Sequence, residues 1–516
     1  MIILKVHRLK IKHTMGLRRN PPKRADVRTS LAQWHEPTVD WCNHNVARVV
    51  IDMLPDVALL NIFDFYLEEK YIDPIDPLNE PPIEVWRTLA HVCRKWRNIV
   101  FESPRRLDLR VCCRPSTPVR EMLDIWPNLP IIVWFDEQED ADNTIAALEH
   151  NDRICGIYLW QIPNSHPEQV LAAMQQQFPA LTQLLLGFGP FGRETAPLHP
   201  DSFLGGSAQR LQLLYLDHFP FPGLPTLLLS ATHLVTLVLW RIPHSGYISP
   251  EAMVTGLSVL TRLKTLSIGF ESPRSHPAKK SRRSPPTRVL LPVLNHLLFS
   301  GVSEYLEDLV SWIDAPLFNS LYITFFHRLI FDTPQLAQFI SRTPEFKVLK
   351  NARLNFYDPS ASITLQSKSG SGNLVLNILS RKPDWQLLSL ARLCSSSFPQ
   401  ALIPVERLSI DLEMFGASPP LPWQDESSQW LELLHSFTGV KDLYISSELT
   451  PRIASALQEP VGEGMTEVLP SLRALFLSES SSGSIPEAFG KFIAARQRAG
   501  HPISVSRWDD GLDDEG

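Results

Sequence analysis

A chain of 516 residues is longer than one compact hydrophobic core usually supports, so length alone points to several domains or to an elongated repeat array. The formal charge of -6 excludes a whole-molecule field that would hold nucleic acid or an anionic membrane. The 44 prolines are spread along the chain and outnumber the 23 glycines, which suits many short elements separated by turns and favours the array. The six cysteines, Cys42, Cys93, Cys112, Cys113, Cys155 and Cys394, show no C-x-x-C spacing. Adjacent Cys112 and Cys113 suit a disulfide framework poorly, so reduced thiols in the cytoplasm or nucleus are expected. No apolar run reaches about 18 residues, so no spanning helix is expected.

In chain order, residues 1–48 read as a basic, disordered tail. MIILKVHRLKIKHTMGLRRNPPKR lacks both the sustained apolar core and the small-residue cleavage site of a secretory signal. In VVIDMLPDVALLNIFDFYLEEKY, Pro55 suits a first helical turn, and Leu59, Ile62, Phe63 and Tyr66 recur at helical spacing. YIDPIDPLNEPPIE, with four prolines, cannot continue that helix. VWRTLAHVCRKWRNIVFESP, residues 85–104, is then expected as one amphipathic helix. Val85, Trp86, Leu89, Val92, Cys93, Trp96, Ile99 and Val100 fall within an arc of roughly 140°, and Pro104 stops the helix. Two short helices with wide apolar faces cannot hide all of that surface within so small a unit.

These residues resemble an F-box: Leu54-Pro55, the stripe from Leu59 to Phe63, and Val92-Cys93-Arg94-Lys95-Trp96-Arg97 follow the family's Leu-Pro, L-x-x-I-F and V-C-R-x-W-R pattern. The long proline-rich linker and SPRRLDL at 103–109 depart from the usual pattern and are similar to the large fungal group of F-box proteins. The resemblance implies a small helical unit over 49–110 that docks the Skp adaptor of a cullin-RING ubiquitin ligase. Carried over by position, Leu54, Pro55, Ile62, Phe63, Leu89, Val92, Cys93 and Trp96 would supply the adaptor-binding face and the unit's own core.

Beyond residue 110 a template, apolar-x-x-apolar-x-apolar, returns repeatedly. It begins at Ile154, Leu181, Leu211, Leu234, Leu263, Leu294, Phe318, Val405, Val440 and Leu472, with weaker copies at Asn351 and Asn373. The period of 22 to 35 residues between most starts indicates a solenoid. The intervening segments SPEAMVTGLSVL, SEYLEDLVSWI, TPQLAQFIS and SSQWLELLHSF are amphipathic and open on Ser or Thr. Each repeat is therefore expected to be a strand followed by a helix, and the fold class α/β. The template resembles the strand portion of leucine-rich repeats, in degenerate form, over 111–508. That resemblance implies a curved parallel sheet with outer helices.

The fifth template position is expected on the concave face. It holds Tyr158, Leu185, Tyr215, Val238, Ser267, Leu298, Tyr322, Asn355, Asn377, Ser409, Tyr444 and Phe476. Four of the chain's nine tyrosines share this register, and with Trp160 and Trp240 they mark a partner-binding surface. Tyr158, Trp160, Tyr215, Trp240 and Tyr322 are the expected substrate-reading set.

Chemistry-bearing motifs are few. GFGPFG, 187–192, matches G-x-G-x-x-G, but Pro190 and the prolines after it leave no helix N-terminus for a pyrophosphate, so an inter-repeat loop is expected. The basic segment 272–288 (SPRSHPAKKSRRSPPTR) reads as a solvated, disordered insertion, a nuclear-import signal being the alternative. The acidic end 509–516 reads as a solubilising tail. No H-E-x-x-H, zinc-spaced Cys/His cluster, P-loop or G-x-S-x-G is present, so no metal, cofactor or catalytic residue is expected. The reading is of a non-enzymatic substrate receptor of a Skp-cullin-F-box ligase in the cytoplasm or nucleus, binding an adaptor and a protein substrate but neither nucleic acid nor membrane. A scaffold without a ubiquitination role is the alternative, and an enzyme with an unrecognised site a further one.

Overall fold

The computed structural model describes residues 54–71, 89, 91–102, 109–125, 128, 130–134, 140–160, 167–188, 203–221, 223–272, 288–326, 333–357, 359–367, 372–380, 383–412, 427–457, 468–478 and 487–508. The basic tail, nearly all of the 272–288 segment and the acidic end lie outside these residues. Eighteen strands are described: β1 (Leu109–Cys112), β2 (Ile131–Trp134), β3 (Ile154–Leu159), β4 (Gln183–Gly187), β5 (Leu213–Asp217), β6 (Thr236–Ile242), β7 (Thr265–Phe270), β8 (Val289–Leu290), β9 (His296–Gly301), β10 (Ile313–Asp314), β11 (Ser320–Phe326), β12 (Leu349–Tyr357), β13 (Ser360–Ser367), β14 (Asn373–Leu379), β15 (Arg407–Leu412), β16 (Asp442–Ile445), β17 (Ala474–Ser478) and β18 (Ser504–Trp508). All but β8 and β10, which form a separate two-stranded parallel ladder, join one 16-stranded sheet. The fold is α/β, with a large, mostly parallel sheet.

The template explains why each strand forms. In LQLLYL, Leu211, Leu214 and Leu216 are almost fully buried, whereas Leu213 and Tyr215 point to the other face and stay partly exposed. Successive strands stack in register, Leu184 opposite Leu214, Leu214 opposite Leu237, and Leu237 opposite Leu266. Their inner side chains join those of the connecting helices in one continuous core running from Val111 to Ile503. Strand entry is equally regular: the N–H groups of Gln212 and Leu213 share the Thr182 carbonyl, Val235 and Thr236 share that of Gln212, and Lys264 and Thr265 share that of Val235.

Two of the connecting helices start on side-chain caps. Ser249 accepts from the Ala252 N–H at 3.2 Å ahead of helix Pro250–Leu257, and Asp140 accepts from the Asn143 N–H ahead of helix Ala141–Leu148. The Ser and Thr that open SEYLEDLVSWI and TPQLAQFIS do not cap as expected: helix Ser303–Trp312 is preceded by Val302 with no side-chain cap, and Thr333 makes none for helix Pro334–Arg342. Instead the buried Glu307 carboxylate, from helix Ser303–Trp312, accepts from the N–H groups of Gln335 (3.0 Å) and Leu336 (2.8 Å). One repeat thereby caps the next, with a negative charge at the positive end of the helix dipole.

The expectation of one helix per strand fails in the middle of the sheet. The strand order there is β11, β14, β13, β12, β15, with β13 antiparallel to both neighbours. The Asn351 and Asn373 copies are thus the outer strands of an antiparallel meander. β14 runs parallel to β11 and β12 parallel to β15. Val375 lies opposite Tyr322 and Arg353 opposite Ser409, so Asn355 and Asn377 sit two residues beyond the row assigned to them. A slip of two preserves the face, which is why the alternation looked correct. β1, β2, β13 and β18 lack the leucine template, and β1 begins before the 110/111 boundary.

Near the N-terminus, helices Asp56–Tyr71 and Arg94–Glu102 are described. The single helix expected over 85–104 is interrupted, because His91 and Val92 are helical but Cys93 is not. Cys93 acts as the cap of the second helix: its thiol accepts from the Trp96 N–H at 3.5 Å and its carbonyl from the Arg97 N–H at 3.0 Å.

Replacing Glu307 by Ala leaves the Gln335 and Leu336 N–H groups unpaired, and a loss of about 1–3 kcal/mol is expected. Urea denaturation of the chain with and without E307A checks it, and an unchanged midpoint would refute the inter-repeat cap.

Candidate protein-interaction surfaces

Two surfaces gather the residues singled out by the sequence. The first is the helical pair. Leu59, Phe63, Leu89 and Ile99 are buried, and Phe63 meets Trp96 edge-on with ring centroids 4.7 Å apart. Lys95 Nζ lies 3.6 Å from Asp56 Oδ1, and both groups are solvent-exposed enough that the pair adds little. The same helices leave large aliphatics in water: Val57 is 68%, Val92 57% and Ile62 46% exposed. The eight adaptor-binding candidates therefore divide. Pro55, Ile62 and Val92 face solvent; Leu54, Cys93 and Trp96 are half-buried; Phe63 and Leu89 belong to the interior. Phe63 and Leu89 thus hold the pair together and offer no outer surface. Val57 was not among the candidates, although it is the most exposed of the three aliphatics.

The second surface is the sheet face opposite the helices. Strand register builds a row across it: Trp134, Tyr158, Leu185, Tyr215, Val238, Ser267, Leu298 and Tyr322 are successive neighbours. At the β2–β5 end the row forms an apolar cluster distinct from the main core. Ile132, Tyr158 and Leu185 are its buried centre, and Trp134, Trp160, Leu213 and Tyr215 pack around them. The ring centroids of Trp134 and Tyr158 are 4.9 Å apart, as are those of Trp160 and Tyr215, and the Arg110 guanidinium sits 5.0 Å from the Trp134 ring.

This corrects one expected contact. Tyr158 is 1% exposed and its hydroxyl bonds the Gln183 side chain, so it serves as the base of the cluster, shielded by the larger rings beside it. Trp160, Tyr215, Trp240 and Tyr322 remain partly exposed. The structure brings Trp160 and Tyr215 together and puts Trp240 on the adjacent strand. Tyr322 lies three strands past β6, about 14 Å away, where its hydroxyl accepts from Asn373 Nδ2 at 2.6 Å.

The sequence reading missed a second aromatic station at the far end of the face. Tyr444 stacks on Phe476 at 4.4 Å, Trp508 meets Tyr444 edge-on at 5.2 Å, and Arg407 lies 5.3 Å from the Tyr444 ring. Tyr444 and Phe476 do fall at the fifth template position, but Trp508 and Trp134 lie in strands without the template, so only register reveals them. Between the stations the face is mixed: His296, Thr324, Asn377 and Ser409 alternate with Val238, Leu298, Tyr322 and Val375.

Asp217 and Arg241, at the ends of β5 and β6, form a bidentate ion pair, with Arg241 Nε 2.7 Å from Asp217 Oδ1. Asp217 is buried, so the guanidinium offsets a carboxylate that would otherwise be costly. Beside them, burial and then the Arg241 charge push the His218 pKa below its ordinary value, and burial alone does the same at His296.

Among the described residues no group of three His, Cys, Asp or Glu side chains could hold a metal ion. No helix among them is long and apolar enough to cross a membrane. Of GFGPFG, only Gly187 and Phe188 are described. A Cβ on Gly187 would fall 2.6 Å from the Trp160 carbonyl oxygen, a close approach that accounts for glycine there. No family model matches the chain, and no curated protein matches it at a significant level.

Two outcomes follow from this geometry. Phe63→Ala should destabilise the helical pair by about 3–5 kcal/mol, whereas Val92→Ser should stay within about 0.5 kcal/mol, as read by hydrogen exchange of helix Arg94–Glu102. Because the folded state holds His218 and His296 below the ordinary value of 6.5, the unfolded chain binds more protons under that pH. Their stabilising effect is complete above about pH 6.5 and is lost as pH falls through the depressed folded values. Denaturation midpoints measured from pH 7.5 to 5 should fall, and the His218→Phe/His296→Phe variant should show a shallower fall.

Proposed function

We propose that the chain is the substrate-recognition subunit of a Skp-cullin-F-box ubiquitin ligase. The N-terminal helices would dock the Skp adaptor, and the sheet, read as a degenerate leucine-rich-repeat solenoid, would hold a protein substrate. The observation that carries the proposal is the division of the helical pair. Phe63, Leu89 and Ile99 close its interior, while Val57, Ile62 and Val92, inside or beside the Leu-Pro, L-x-x-I-F and V-C-R-x-W-R stretches, stay in water with no use within the pair. Aliphatic surface of that kind on a small unit suits a partner. The half-exposed aromatics of the open sheet face support the second half of the reading, since Tyr and Trp give rigid contact area.

In this role the chain makes and breaks no bonds. Its contribution is proximity: holding a substrate lysine near a conjugating enzyme supplied by the cullin-RING assembly raises the effective concentration of the reactants. Cytoplasmic or nuclear residence belongs to the same reading.

Co-expression with a Skp adaptor, followed by purification and mass determination, tests it. A one-to-one complex is expected for the natural chain, lost in Leu54→Ala/Pro55→Ala/Trp96→Ala. It should also be lost in Ile62→Ser/Val92→Ser, which spares the interior and so separates docking from folding. A folded chain that ignores the adaptor would overturn the ligase reading and favour a scaffold.

A further inference from the structure

Trp240 stands at a built irregularity. The β6–β7 register shifts between Leu239 and Ile242, and within that bulge Arg241 has φ 49°. His218, at the end of β5, has φ 53°. Residues other than glycine take such left-handed conformations only where their surroundings impose them, and bulges of this kind re-aim a side chain. Here the Arg241 fork on Asp217 holds the bulge, and the His218 N–H donates to the Trp240 carbonyl at 3.0 Å. The result is an indole laid against Gly269: a Cβ at that position would fall 2.8 Å from Trp240 Cε3. One side of the ring is therefore spent on bare backbone. Among the described residues the indole has no aromatic, hydrogen-bonding or cationic partner, and it is not fully buried.

The charges around it have one sign in excess. Asp217 is opposite Trp240 in the ladder, and the exposed Glu271, just past the end of β7, is electrostatically coupled to Arg241 and His218. Among the described residues Arg241 is the one permanent cation coupled at this corner, and burial lowers the pKa of His218 beside it. The Asp217–Arg241 pair cancels, so among the described residues Glu271 leaves a net charge of about -1 next to the partly exposed indole. The same sheet face already takes guanidinium on aromatic rings twice, Arg110 over Trp134 at 5.0 Å and Arg407 over Tyr444 at 5.3 Å. Among the described residues the chain supplies its own arginine over the ring at both of those stations and none over Trp240.

We propose that Trp240, flanked by Asp217 and Glu271, is a docking site for an arginine side chain of the protein partner, with the Asp217–Arg241 pair as the device that positions the ring. This rests on the reading of the open sheet face as the substrate surface and adds the chemistry of one substrate contact.

The full chain labelled with 5-fluorotryptophan tests it, the Trp240 fluorine line being identified by its loss in Trp240→Phe. Titration with the capped tripeptide acetyl-Gly-Arg-Gly-amide should shift that line saturably, and acetyl-Gly-Glu-Gly-amide should not. Glu271→Gln should weaken the arginine peptide about twofold to fivefold, and raised salt should do the same. No shift, an equal shift with the glutamate peptide, or indifference to Glu271→Gln and salt together would each overturn the site. Adaptor binding measured on the same preparation keeps the two ideas apart: a chain that binds the adaptor but not the peptide loses only this site, and one that binds the peptide but not the adaptor loses only the ligase frame.

Discussion

Everything in the large sheet depends on one constraint: a strand of five or six residues cannot bury its inner leucines by itself. Leu214 and Leu216 are dry only because Leu184 and Leu186 lie on one side and Leu237 and Leu239 on the other, with the helices closing over them. Each unit thus borrows most of its stability from its neighbours, as expected of a stacked array. The same dependence explains why Glu307 caps a helix in the next unit, since the stacking brings that helix start within reach of a buried carboxylate that needs donors.

The constraint fixes which side chains turn inward and is blind to strand direction. The β12–β13–β14 meander shows this. Its strands run alternately up and down, yet Leu354, Ile363 and Leu376 are all buried in the common core, because the two-residue side-chain period is the same in either direction. The outer strands of the meander run parallel to β11 and β15, so the main ladder continues through it. An insertion of this type changes the chain path without opening the core.

With one face committed to helices, the other is free to vary, and the chemistry worth testing gathers there. Rows of side chains cross it at strand spacing. Residues far apart in sequence, such as Trp134 and Tyr158 or Tyr444 and Trp508, become ring neighbours. The two aromatic stations are separated by a mixed stretch in which Val238, Leu298 and Tyr322 alternate with polar side chains. The helical pair solves a different problem, because its interior is closed by few residues and its outer aliphatics have no further strand to pack on.

The sequence alone determined the α/β class, the inward leucines, most parallel strands and the helix cap at Ser249, because these follow from local periodicity and from groups a few residues apart. It also assigned Tyr158, Trp160, Tyr215, Trp240 and Tyr322 to the face away from the helices, and all but Tyr158 are partly exposed there. It could not separate Ile62, exposed, from Phe63, buried, since both lie on one apolar arc and only packing against Trp96 chooses between them. Nor could it show that Tyr158 is covered, that Cys93 breaks a helix, or that strands lacking the template join the sheet. The reversed order of β12 and β14 and the flat indole over Gly269 were decided by tertiary structure alone. They depend on which strands become neighbours and in what register, and no local pattern encodes that choice.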